Sequence, residues 1–225
     1  MNPKPLLSLS EENYLKAIYK LLEKGQKKIS TNSISEMVAT SPASVTDMLR
    51  KLAEKKLINY APYKGVTLTA AGKRQATGIV RKHRLWELFL VEKLKYSWDE
   101  VHEIAEQLEH IQSESLVKRL DAFLGTPKFD PHGDPIPDDN GNIETASNLP
   151  LSNFGVNQQL IVSGVFDHST EFLKYLAKLG ISTGTELTIK EVNPFDHMLA
   201  ISIKGNRISH HISHEVALNI RVTAL

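Results

Sequence analysis

The chain has 225 residues, of which 41% are hydrophobic and 24% charged, enough to bury the core of one large domain or two smaller ones. It contains no cysteine, which excludes disulfides, iron–sulfur clusters, cysteine nucleophiles and thiolate zinc sites, and leaves His, Asp, Glu, Asn, Met or backbone oxygen to hold any metal. The overall charge of +1 hides an asymmetry: residues 1–82 carry 15 Lys/Arg against 6 Asp/Glu, a net of +9, while the remainder carries −8, so the first third is suited to a polyanion.

The first helix is expected from Ser10, as N-cap, to Glu23, with Tyr14, Leu15, Ile18, Tyr19, Leu21 and Leu22 at helical spacing and Gly25 closing it. A short second helix fits Asn32–Val38. The third has the clearest start in the chain: Ser41 caps, Pro42 takes the first helical position, and Val45, Met48, Leu49 and Leu52 line one side to about Lys55. Residues Leu57–Thr69 then read as two β-prone runs around a Pro and Gly turn, a hairpin. Three short helices followed by a hairpin make a winged helix-turn-helix. Its third helix would enter the DNA major groove with Ser41, Pro42, Ala43, Ser44, Thr46 and Asp47 nearest the bases, and with Arg50, Lys51 and Lys64 reaching phosphates.

Thr69 caps a long helix expected to run to about Lys93, apolar nearly all round in its second half and therefore buried, against another subunit if not within its own. Helices follow at Trp98–Ile111 and Ser113–Leu124. The stretch Gly125–Pro150, with five prolines and three glycines, reads as a turn-rich linker. After it come strands at Gln159–Val165, Glu186–Val192, Met198–Ile203 and Arg207–Ile212, a helix at Thr170–Leu179, and a strand or short helix at Ala217–Val222. That spacing indicates a small β-barrel. The fold expected is thus mainly α with a small β domain: a winged helix-turn-helix over 1–73, a helical domain with linker over 74–146, and a barrel over 147–225.

The densest polar constellation is His102 to His110. On one continuous helix, His102, Glu106, Glu109 and His110 would share an arc of about 100°, with carboxylate and imidazole donors suited to manganese, iron, cobalt or zinc. His83 and Glu87 form a second pair, one turn apart, on a helix otherwise apolar near Glu87, so that carboxylate needs a neutralising partner. The run His102-Glu103-x-x-Glu106 departs from the zinc-peptidase pattern at its last position. There is no glycine-rich phosphate loop and no Gly-x-Ser-x-Gly turn.

Tyr14-Leu15-Lys16-Ala17-Ile18-Tyr19, the helix after Ser41-Pro42, Arg81-Lys82-His83-Arg84-Leu85, His102–His110, and Pro131-His132-Gly133 with Pro135-Ile136-Pro137 together resemble the diphtheria-toxin-repressor family of iron- and manganese-dependent transcriptional repressors (DtxR/MntR-like). The resemblance covers nearly the whole chain. It implies a homodimer joined through the middle helices, a metal co-repressor, a near-palindromic operator, and a C-terminal Src-homology-type barrel like the ferrous-transport protein A (FeoA) domain. Carried onto these residues, the principal site would use Glu106, Glu109 and His110, with His83 nearby and Asn13 completing it from the first helix. An auxiliary site would draw on His83, Glu87 and His102, or on Glu87 with Asp130 and His132, and the barrel would add His168 and Glu171, or Asp167. Glu106 makes the principal site oxygen-rich, which favours Mn²⁺, then Fe²⁺, with Zn²⁺ or Co²⁺ binding in vitro. Lys16 stands where some manganese-type members carry a carboxylate. These features imply a cytoplasmic regulator, not an enzyme and not membrane-bound. The competing readings are a winged-helix regulator answering to a non-metal ligand and a metal-dependent enzyme with a structural helix-turn-helix.

Overall fold

A computed structural model describes residues 7–26, 28–61, 65–144, 149–206 and 208–225. In chain order they form α1 (Leu9–Glu23), α2 (Thr31–Met37), α3 (Pro42–Glu54), β1 (Ile58–Ala61), β2 (Gly65–Leu68), α4 (Ala70–Glu92), α5 (Val101–Leu108) and α6 (Glu114–Phe123). Then follow β3 (Leu149–Pro150), a single 3-10 turn at Leu151–Asn153, β4 (Gln159–Val165), α7 (Thr170–Lys178), β5 (Glu186–Val192), β6 (Leu199–Ile203), β7 (Ser209–Ile212), α8 (His214–Leu218) and β8 (Ile220–Ala224). No helix among the described residues is long and apolar enough to cross a membrane. The chain separates into two compact units, and α4, α5 and α6 each contribute residues to both.

The first unit comprises residues 1–83, 106–117 and 137–143. Leu15, Ile18, Ile34, Val45, Leu49, Leu52, Val66 and Val80 form one apolar cluster in which α1, α2, α3, the hairpin and the first part of α4 meet. The cap of α1 differs from expectation. Ser8, not Ser10, closes the helix in a reciprocal box with Glu11: its hydroxyl accepts from the Glu11 N–H, and the Glu11 carboxylate accepts from the Ser8 N–H. At α3 the expected start holds, with Ser41 Oγ accepting from the Ser44 N–H and Pro42 in the first turn. Antiparallel β1 and β2 pair Ile58 with Leu68 and Tyr60 with Val66. Thr69 Oγ1 caps α4 by accepting from the Gly72 N–H. Gly72 is obligatory there, since a Cβ would lie 1.8 Å from the Leu57 carbonyl oxygen.

The second unit comprises residues 84–105, 118–136 and 144–225. Its strands form one antiparallel sheet in the order β3-β8-β4-β5-β6-β7, with Val162 opposite Val222 and Leu187 opposite Ile203. Leu173 and Leu176 of α7, together with Trp98, pack onto the apolar strand residues. A closed barrel was expected, whereas β3 and β7 remain the two edges of the sheet among the described residues. Strand β3 is two residues long and ends in Pro150, which has no N–H to extend a ladder. A bulge between Val162 and Gly164 opens β4, and the loop at 130–134 is anchored there. The His132 carbonyl accepts from the Val165 N–H and from Arg221 Nη2, and Thr183 Oγ1 donates to the Pro131 carbonyl. Gly133 has φ +83°, and a Cβ on it would lie 2.0 Å from the Ser163 carbonyl oxygen.

Candidate metal centre

The expected continuous helix from Trp98 to Ile111 is shorter than the pattern suggested. α5 ends at Leu108, so Glu109 and His110 leave through a turn and no longer share one helix face with His102. The polar stripe is divided accordingly: Glu106, Glu109 and His110 belong to the first unit, and His102 to the second.

In the first unit Glu109 is fully buried. His83 Nδ1 donates to its Oε2 at 2.6 Å, and Lys16 Nζ donates to both carboxylate oxygens at 2.8 and 2.7 Å. The same ammonium donates to Glu106 Oε1 at 3.1 Å. Burial works to raise the Glu109 carboxyl, but the His83 hydrogen bond and the Lys16 charge hold it below the usual carboxylate range. Beside it, His110 Nδ1 donates to Glu12 Oε2 at 2.6 Å, and Gln112 Nε2 donates to Glu12 Oε1 at 2.5 Å. His110 Nε2 lies 3.8 Å from Glu109 Oε1. Asn13 is exposed on α1, whereas Glu12 and Lys16 of the same helix reach this cluster. Glu12 was not expected as a member of the site, and Lys16 was expected only as the residue standing where some manganese-type members carry a carboxylate.

In the second unit Glu87, Asp130 and His132 are all buried, and their ligand atoms lie within 4.8 Å of one another. His132 Nε2 donates to the Trp98 carbonyl at 2.8 Å, so Nδ1 faces Glu87, 3.7 Å away. A histidine whose second nitrogen donates to a backbone carbonyl is oriented as metal-binding histidines usually are. The indole of Trp98 and the imidazole of His168 both stack on this ring. Asp130 Oδ1 accepts from the N–H groups of His132 and Asp134, which fixes the loop around the carboxylate. Its pKa is pushed up to about 7 by burial first, then by the charges of Asp134 and Glu87. Burial opposes protonation of His132, yet the Glu87 carboxylate outweighs it and holds that imidazole at about 9. Burial and the neighbouring carboxylates act together on Asp130, Arg84 partly offsets them from 3.7 Å away, and a divalent cation is suited to stabilise the ionised form of both acids, Asp130 and Glu87. His102 Nδ1 lies 3.2 Å from Glu87 Oε1 with its ring half exposed. His168 Nε2 is 3.8 Å from Asp134 Oδ2, whereas Glu171 is exposed in the first turn of α7 and Asp167 caps the Ser169 N–H.

On α3, Val45, Leu49 and Leu52 point into the core, leaving Ser41, Pro42, Ala43, Ser44, Asp47, Arg50 and Lys51 exposed and Thr46 half-buried. Thr46 Oγ1 donates to the Pro42 carbonyl, and Arg50 lies 3.4 Å from Asp47. An exposed, polar helix N-terminus of this kind can be presented to a groove. Lys64 lies outside the described residues.

Known proteins share this combination. Residues 6–66 match the iron dependent repressor N-terminal DNA-binding domain, 69–138 the iron dependent repressor metal-binding and dimerisation domain, and 149–224 the FeoA domain. A manganese-dependent transcriptional repressor solved in complex with manganese is 37% identical, with TM-score 0.81, over 96% of this chain and all of that one. The chain belongs to the diphtheria-toxin-repressor family. ScaR, solved with bound Zn²⁺, is 32% identical with TM-score 0.73 over 96% of this chain and 99% of its own. The iron-dependent repressor IdeR of Mycobacterium leprae is 28% identical over 220 residues, 91% of this chain and 94% of its own. This repressor is accordingly a metal-dependent, DNA-binding transcriptional regulator of metal homeostasis, with a DNA-binding domain, a helical dimerisation domain and a C-terminal FeoA-like β domain.

Proposed function

We propose that this repressor responds to Mn²⁺, with Fe²⁺ next, through two clusters: Glu106, Glu109, His110 and His83 with Glu12 as the principal site, and Glu87, Asp130 and His132 as the auxiliary one. The observation that carries this reading is that Glu12 and Lys16, on the first helix of the DNA-binding domain, make their polar contacts with Glu106, Glu109, His110 and Gln112. α1 also packs against α2, α3 and the hairpin, so whatever fixes α1 through this cluster acts on the elements that present α3. A bound divalent ion supplies positive charge to carboxylate and imidazole donors. The hard, oxygen-rich donor set suits Mn²⁺ or Fe²⁺; affinity order alone favours later metals, so Zn²⁺ and Co²⁺ will bind in vitro and selectivity comes from geometry and metal supply. Glu109 and His110 then hold α1 through the turn after α5, and DNA affinity rises with occupancy; by reciprocity DNA tightens metal binding. Glu12 replaces Asn13 as the α1 donor because Asn13 is exposed.

The remaining parts follow the family. A homodimer places two α3 helices on the half-sites of a near-palindromic operator, with Ser41, Pro42, Ala43, Ser44, Thr46 and Asp47 at base edges and Arg50, Lys51 and Lys64 at phosphates. Phe123 at 64% exposed, beside Phe89, supports an apolar contact between subunits. The three family matches support the division into 1–73, 74–146 and 147–225. A non-enzymatic, cytoplasmic role fits relatives that are repressors.

The test is Mn²⁺ binding followed by the electron-spin-resonance signal of the free ion, in the wild type, Glu109→Ala and His132→Ala. Each variant is expected to lose a different binding step, and Glu109→Ala to lose metal-stimulated DNA binding while remaining a dimer. Metal stimulation retained in Glu109→Ala would remove the principal site.

A further inference from the structure

The group at the centre of the principal cluster is a lysine. Lys16 is 5% exposed, and its Nζ lies within 3.1 Å of three carboxylate oxygens, two from Glu109 and one from Glu106. These are the same oxygens that the proposed function assigns to the metal. An ammonium is a compact point charge, and a divalent ion bound by Glu109 and Glu106 would need the same small volume. Two cations cannot share it, because like charges at such short separation in a buried site repel strongly. Lys82, half-buried on α4, already adds positive charge facing Glu12 and Glu109.

We infer that Lys16 is an internal competitor for the cation at the principal site, so that metal entry displaces its ammonium from Glu109 and Glu106 and the strength of that ion pair sets the metal affinity. This inference rests on the principal site proposed above. In the apo protein Lys16 offsets part of the charge of two carboxylates and keeps α1 attached to the turn after α5, a task that the metal takes over. Because the ammonium sits on a flexible four-carbon stem, it can withdraw without moving the helix backbone. Lys16 is thus a specificity-determining residue: only an ion that gains more from Glu109, Glu106 and His110 than the ammonium does will displace it. Weakly bound hard ions such as Mg²⁺, which dehydrates reluctantly, are rejected first.

The experiment measures Mn²⁺ affinity at the Glu109-dependent step in the wild type, Lys16→Met, Lys16→Gln and Lys16→Arg, with Glu109→Ala as the marker of that step. Removing the charge is expected to tighten Mn²⁺ at least tenfold in Lys16→Met and to a smaller degree in Lys16→Gln, and to let Mg²⁺ compete. Lys16→Arg keeps the charge and should bind Mn²⁺ no more tightly than the wild type. If Lys16→Met unfolds without metal, Lys16→Gln, which retains a donor, provides the comparison. Unchanged or weaker Mn²⁺ binding in the charge-removing variants, while Glu109→Ala still abolishes the step, overturns the role of Lys16 and leaves the principal site standing. If Glu109→Ala abolishes no step, both fall together.

Discussion

Asp130→Asn should make the metal-free protein more stable at alkaline pH. The Asp130 carboxyl is held at about 7 against an ordinary 3.8, because it is buried and faces the charges of Asp134 and Glu87. Between those two values the folded state binds more protons than the unfolded state, so stability falls as pH rises through this window and levels off above it. At ~1.4 kcal/mol for each tenfold, the whole penalty is about 4 kcal/mol, and more than half of it appears between pH 5 and pH 8. Asparagine is isosteric, and its side-chain oxygen can still accept from the N–H groups of His132 and Asp134, so the loop keeps its hydrogen bonds while losing the charge. The raised pKa of His132, about 9, gives a slope in the same direction: its stabilising contribution is full below its ordinary 6.5 and is lost as pH rises through 9. Part of that support comes from Asp130, so the net gain in the variant at pH 8 is smaller than the full figure. Urea unfolding with chelator present, at pH 5 and pH 8, reads the difference directly. Added Mn²⁺ should reverse the order of the two proteins, since the metal favours the ionised Asp130. Equal pH slopes in the wild type and Asp130→Asn would refute the claim that this carboxylate is buried among like charges.

Other perturbations address other parts of the account. Gly133→Ala places a Cβ 2.0 Å from the Ser163 carbonyl at a φ of +83°, which should cost about 1–3 kcal/mol in thermal or urea unfolding and loosen the Asp130–His132 ligand pair. Lys51→Ala should weaken binding to specific and unrelated DNA alike and reduce the salt slope of binding by about one, measured by anisotropy at several salt concentrations; an unchanged slope removes Lys51 from the phosphate contacts. Ser8→Ala removes the α1 capping box and should cost ~1 kcal/mol, whereas Ser10→Ala should be close to neutral, the reverse of what the sequence pattern alone suggested.

Much of this architecture is legible from local signals. Ser41-Pro42 marks the start of α3, Thr69 the start of α4, and the alternation of strand and turn residues marks the C-terminal sheet, because each depends on neighbours a few residues away. The site was harder to read. Glu12 looked like an ordinary first-turn acidic residue, and Asn13 differs from it by one position, which on a helix is a rotation of 100°. Which of the two is buried depends on how α1 packs, and no local pattern specifies that. The His102–His110 stripe misled for a related reason: its periodicity continues beyond Leu108, but the helix does not, because Glu109 is drawn to Lys16 and His83, residues distant in sequence.

The central claim is that metal occupancy controls DNA binding. It is tested most directly by the anisotropy of a labelled DNA pool at fixed salt, comparing chelator-treated protein with protein given Mn²⁺, anaerobic Fe²⁺, Co²⁺ or Zn²⁺. The account predicts sequence-specific binding only with metal, strongest with Mn²⁺, and its loss in Glu109→Ala; tight specific binding by the chelator-treated protein would contradict it.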